Sequence, residues 1–170
     1  MHPSTSGYDL SQDVDWNRVY AEQLPRVYNF FRFRVGNRAD VEDLTSRTFE
    51  KAWQSRERYR RDVAQFSTWL FTIARNLAVD YLRGARNHLP LESALDVQAD
   101  HTPELVASQD SNMSRLSTLT RSLAEREREL IALKYGASLN NRQIAELTGL
   151  SESNVGTILS RTVNALRSRW

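Results

Sequence analysis

The run NRQIAELTGLSESNVGTILS, residues 141–160, leaves little freedom in what this chain can fold into. Ile144, Leu147, Val155, Ile158 and Leu159 recur at helical spacing on two short segments, and the break between them falls at Gly149 and Leu150. Ala145, four residues before the glycine, has no side chain to hold a second helix away. Gly149 can take the positive-φ turn, and Ser151 offers an N-cap oxygen to the helix that follows. Asn140 is placed to cap the first helix, with Gln143 closing a capping box. Two helices crossing this tightly form a helix-turn-helix, whose second helix enters the major groove of DNA. A small helical bundle can also contain such a glycine-broken pair, so the run points to DNA without deciding it.

Composition narrows the rest. A chain of 170 residues with 40% hydrophobic content supports one ordinary domain or two small ones, and only six Gly and four Pro favour an all-α fold. The formal net charge is only +2, too small for strong counterion-driven affinity by itself. Of the 23 basic residues, 21 are Arg and two, Lys51 and Lys134, are Lys, a bias toward the forked donor that suits phosphates and base edges. Arg56, Arg58, Arg60 and Arg61 cluster, residues 153–170 hold three Arg and no acid, and residues 91–112 hold five acids and no Lys or Arg. Such runs are often no more than solvated faces.

There is no cysteine, and His2, His88 and His101 match no ligand spacing, so no metal site is expected. No phosphate-cradling glycine loop, HExxH or GxSxG occurs, and adjacent acids such as Glu42 and Asp43 splay by ~100° on a helix rather than forming a dyad. Hence no catalytic residue, cofactor or small-molecule substrate is expected. The first residues lack a basic and apolar leader pattern and no apolar run approaches ~18 residues, so neither export nor membrane insertion is indicated and a cytoplasmic location is expected.

Along the chain, Trp16, Val19, Tyr20, Gln23, Val27, Phe30 and Phe31 recur at helical spacing, with Pro25 expected to restart or kink the helix. After a turn at Gly36 and Asn37, Asp40 is expected to cap a helix whose inward stripe is Val41, Leu44, Thr48, Phe49, Ala52 and Trp53, with Glu42, Asp43, Ser46, Arg47 and Glu50 outside. SRERYRRDVAQ reads as a polar loop. A third helix puts Phe66, Trp69, Leu70, Ile73, Ala74, Leu77 and Tyr81 inward and Thr72, Arg75, Asn76, Val79 and Arg83 on another face. Core packing and base contact are both open for Trp69. Residues 89–113 read as an extended acidic linker, expected to be mobile and protease-sensitive, and a second helical unit begins near Ser114.

NRADVEDLTSRTFEKAW, then FSTWLFTIARNLAVDYLR, then LAEREREL and the helix-turn-helix, in this order, resemble bacterial RNA polymerase sigma factors of the extracytoplasmic-function group of the sigma-70 family. The likeness covers residues 14–169. It implies a domain over residues 1–88 for polymerase docking and the minus-ten element, a linker over 89–113, and a helix-turn-helix domain over 114–170 for the minus-thirty-five element. Core RNA polymerase, promoter DNA and an anti-sigma factor are the implied partners. The implied docking residues are Asp40, Glu42, Asp43, Leu44, Phe49 and Trp53. Family members often carry a Gln-Glu pair where this chain has Ser46 and Arg47. Trp69, Arg75, Asn76, Arg83 and Arg86 match the minus-ten segment, in which an unstacked base is captured. Arg142, Ser151, Glu152, Ser153, Asn154, Thr157 and Arg161 match the minus-thirty-five reader. The alternative is a stand-alone LuxR-type helix-turn-helix regulator, which leaves the FSTWLFTIARNLAVDYLR segment unexplained.

Overall fold

Asp15 opens the first helix by accepting from the Arg18 N–H at 3.2 Å, and α1 (Trp16–Arg34) then runs unbroken through Pro25. The expected restart at Pro25 does not occur. The computed structural model describes residues 14–61, 63–88 and 109–170. α2 (Arg38–Gln54) is capped by Asn37, whose side chain accepts from the Asp40 N–H at 3.3 Å. Asp40 is therefore not the cap: it lies inside the first turn, where a carboxylate still complements the helix dipole. A 3-10 turn, Arg56–Arg58, leads through the Arg-rich loop into α3 (Phe66–His88).

In the second half α4 (Gln109–Arg121) starts ahead of the expected Ser114, so residues 109–113 are helix rather than linker. The acidic stretch from 89 to 108 lies outside the described residues, and the expectation of mobility falls there. Behind it come α5 (Glu125–Ile131), α6 (Asn141–Thr148) and α7 (Glu152–Arg167). Between α5 and α6 the chain widens into a π turn, Ala132–Gly136, closed by the Ala137 N–H on the Ala132 carbonyl at 2.9 Å. The helix-turn-helix forms as its residues require. Asn140 and Gln143 complete a reciprocal capping box, Gly149 sits at φ 75°, and the Ser151 side chain accepts from the Asn154 N–H at 3.1 Å.

α1 is buried on two sides, which explains how the two helical domains come to share a core. Val27, Phe30, Phe31 and Phe33 are buried together with Val41, Leu44, Leu70, Phe71 and Ala74 of α2 and α3, and with Leu130, Ile131 and Leu133 of the second half. Apolar positions all round a helix signal burial all round, and FFRF at residues 30–33 has that character. The halves approach closest at Gly136, where an added Cβ would lie 2.9 Å from the Asn29 carbonyl oxygen and the Phe30 nitrogen. Only glycine fits there. Trp53, expected inside, is 51% exposed instead, while Thr45 of the same helix is buried.

Two substitutions separate packing from backbone effects. Phe30→Ala, at a fully buried ring, is expected to destabilise the chain by about 3–5 kcal/mol in urea unfolding. Gly149→Ala meets no atom within 4 Å, so its expected cost of about 1–2 kcal/mol is that of the left-handed backbone alone.

Candidate nucleic-acid and polymerase interface

α2 turns its acids outward. Glu42 and Asp43 are exposed and hold only helix-surface partners, Arg38 at 3.2 Å and Arg47 at 3.8 Å. Such exposed pairs contribute little stability, so both carboxylates remain available to a basic partner. Asp40 is more constrained, since the Tyr81 hydroxyl of α3 donates to its Oδ2 at 2.6 Å. Burial first, and that bond second, push the Tyr81 pKa up to about 12. Of the remaining implied docking residues, Phe49 is half-buried against Tyr20 and Trp53 is exposed. Leu44 is 1% exposed, so it holds α2 to the core and presents nothing to a partner.

Beside this face lies an aromatic cleft that the sequence reading did not single out. Trp16, Val19, Tyr20, Phe49, Trp53 and Phe66 line about 200 Å³ of open space. Trp16 stands edge-on to Trp53 at 5.6 Å and to Phe66 at 5.5 Å, and the Arg56 guanidinium lies over the Trp53 ring at 4.1 Å. The signal was legible: aromatics four residues apart on two helices, Trp16 with Tyr20 and Phe49 with Trp53, share a face on each. Trp69 packs behind the cleft against Tyr59 at 5.1 Å and Phe66 at 5.5 Å, which makes it half-buried support for the cleft.

The α3 face divides. Thr72, Asn76 and Arg83 are exposed as expected, while the side chain of Arg86 lies outside what is described. Arg75 is not on a free face. Its Nε donates to Glu129 Oε1 of α5 at 2.5 Å and one terminal nitrogen donates to the Leu147 carbonyl of α6 at 2.8 Å. Arg26 of α1 also crosses to the second half, donating to the Ala137 carbonyl at 2.7 Å, and burial lowers its pKa. In the helix-turn-helix, Ser151, Glu152, Ser153, Asn154, Thr157 and Arg161 form one exposed surface at the start and middle of α7. Arg142 on α6 is exposed, 3.9 Å from Glu146. Among the described residues no cluster of His, Asp or Glu suits a metal ion.

Sigma-70 region 2 matches residues 19–88 and Sigma-70 region 4 matches residues 113–166, in the order and spacing of the surfaces just described. The chain belongs to the extracytoplasmic-function group of the sigma-70 family. A stand-alone regulator would not carry the region 2 match over α1, α2 and α3. The sigma factor is 28% identical over 164 residues to the ECF RNA polymerase sigma factor SigL of Mycobacterium tuberculosis, covering 95% of this chain and 92% of that one. It is 29% identical over 154 residues to BldN of Streptomyces coelicolor, covering 89% of this chain but 58% of BldN. In fold it is similar to the sigma factor RpoE of Bartonella quintana, solved with the anti-sigma factor NepR, at a TM-score of 0.75 and 20% identity over 91% of this chain and 95% of that one. No helix among the described residues is long and apolar enough to cross a membrane.

The Tyr81–Asp40 bond gives a pH test with a definite sign. A phenol whose folded pKa stands above its ordinary 10 contributes stability that is complete below pH 10 and lost as pH rises toward about 12. Urea-unfolding stability of the native chain is expected to fall more steeply across that window than that of Tyr81→Phe.

Proposed function

We propose that this sigma factor divides its work among three exposed surfaces: α2 for core RNA polymerase, the α3 face and aromatic cleft for the melted minus-ten element, and the start of α7 for the minus-thirty-five element. The observation that carries the proposal is their segregation. Acids occupy α2, an amide, a hydroxyl and arginine donors occupy α3, and short polar groups occupy the end of α7 that reaches base edges.

Docking of Asp40, Glu42 and Asp43 on a basic surface of the polymerase supplies charge complementarity and register, with Trp53 and Phe49 as apolar anchors. Asn76 donates to and accepts from the edge of an unstacked base, and Arg83 and Arg86 hold phosphates. Away from the α2 anchors, Trp16, Tyr20 and Phe66 of the aromatic cleft supply ring faces that a base stacks upon, at about 1–3 kcal/mol per base, enough to offset unstacking from the duplex. At α7, Ser151, Glu152, Ser153, Asn154 and Thr157 face bases while Arg142 and Arg161 face phosphate. Phosphodiester chemistry belongs to the polymerase, and this chain serves as a specificity factor without catalysis of its own. An anti-sigma protein is a further partner. The likeness to RpoE with NepR and to CnrH with the cytosolic domain of CnrY, at a TM-score of 0.69, supports that reading.

Run-off transcription with core polymerase tests the division. Asn76→Ala is expected to lower open-complex formation on duplex promoters, by the ~1–3 kcal/mol of one base contact, and to matter less on a premelted template. Changing Asn154 is expected to alter which upstream bases are tolerated, while Arg161→Ala weakens binding to every sequence and flattens its salt dependence. Equal losses from Asn76→Ala on both templates would remove α3 from the melting step.

A further inference from the structure

Asn140 and Asn141 stand side by side where α6 starts, and only the first has a duty in the backbone. Asn140 caps the helix and Gln143 closes the box, so the amide of Asn141 is not needed there. Asparagine is also a poor helix former once inside the helix, which leaves Asn141 unexplained by local structure. Its side chain accepts instead from Lys134 of the π turn, Nζ to Oδ1 at 2.9 Å. An ammonium group carries only donors, so it selects the amide oxygen and turns the Nδ2 donors the other way. They face α7. A Cβ built on Gly156 would lie 3.5 Å from Nδ2, so any side chain at that position would cover the amide that glycine leaves open. Glycine inside a helix is unfavourable relative to alanine, and its presence here keeps that space clear. Among the described residues Nδ2 has no hydrogen-bond acceptor and Lys134 has no carboxylate partner.

We infer that Asn141 is a further DNA-binding residue of this chain, its Nδ2 donating to a backbone phosphate oxygen of the minus-thirty-five duplex, and that Lys134 is the residue that positions it. The inference rests on the proposed seating of α7 in the major groove. With α7 there, the first helix of the motif crosses the sugar-phosphate backbone, so the groups it offers meet phosphates rather than base edges. Gly156 shares a side of α7 with Glu152 and Ser153, one turn earlier and both exposed, which puts the amide at the edge of the proposed reading surface. A phosphate oxygen only accepts. An unrestrained asparagine turns oxygen or nitrogen outward, whereas the bond from Lys134 fixes nitrogen outward before DNA arrives and removes that ordering cost from binding.

The test uses the full-length chain bound to core polymerase, titrated at several salt concentrations against a fluorescent promoter duplex that the parent complex has selected from a random library. Asn141→Ala is expected to lower affinity about tenfold, the loss of one hydrogen bond to a charged acceptor, whatever the upstream sequence. Its salt dependence is expected to stay that of the parent, because a neutral amide releases no counterion, whereas Arg161→Ala flattens it. Asn141→Asp keeps the acceptor for Lys134 and puts a carboxylate in the first turn of α6, where it favours the helix. Its thermal unfolding midpoint is therefore expected to match or exceed the parent's while its affinity falls at least as far as that of Asn141→Ala, which separates contact from folding. Lys134→Met is expected to weaken binding less in the Asn141→Ala background than in the parent, since a positioning residue has nothing left to position. Equal losses in the two backgrounds overturn the role of Lys134. Parent-like affinity in either Asn141 variant, with Arg161→Ala still weakened, overturns the role of Asn141 and leaves the seating of α7 standing. Parent-like affinity in Arg161→Ala as well overturns that seating and the inference with it.

Discussion

The packing of α1 against both halves of the chain, with Gly136 resting on the backbone of Asn29 and Phe30, decides which other surfaces stay available. Because Val27, Phe30, Phe31 and Phe33 are buried from two sides, α2 and α3 flank the helix in the first half and the π turn closes over it from the second. The π turn matters chemically as well as sterically. Its wide bond from Ala137 to Ala132 leaves the Ala137 and Ser138 carbonyls outside the regular ladder, and both accept from Arg26. A short irregularity in one domain is thereby answered by a guanidinium from the other.

Arginine serves three ends in this chain, and the surroundings rather than the residue type separate them. Arg56 lies over an indole ring at the rim of an aromatic cleft, Arg26 and Arg75 bond carbonyls and a carboxylate across the junction, and Arg83 and Arg161 stand exposed. The strong preference of the sequence for Arg over Lys suits all three uses, since a planar fork stacks, bonds two acceptors at once and holds phosphate. On α3 the arginine that bonds Glu129 lies three residues from the exposed Thr72 and one from the exposed Asn76.

Local signals were legible where the backbone itself carries them. Asn140, Gln143, Gly149 and Ser151 each specify a dihedral or a cap, and the helix-turn-helix appears as those residues require. Amphipathic stripes likewise placed most of α2 and α3. What escaped was nonlocal. Nothing in the spacing of Arg75 distinguishes an exposed arginine from one bonded to Glu129, 54 residues further along the chain. Asp40 was read as a cap because it is a good one, but Asn37, equally suited and three residues earlier, takes the role and leaves Asp40 to Tyr81. Leu44 followed the family pattern into the docking set although its place on the helix stripe already marked it as core.

Photocrosslinking within the complete initiation complex tests most directly whether two separated surfaces read two promoter elements. With a photoreactive side chain at Asn76 or at Asn154 in turn, the polymerase-bound sigma factor is predicted to crosslink the unpaired strand from the first position and upstream duplex from the second. Without polymerase, the Asn76 crosslink is predicted to disappear. Crosslinks from both positions to one contiguous stretch of duplex, formed equally by the free chain, would contradict the account.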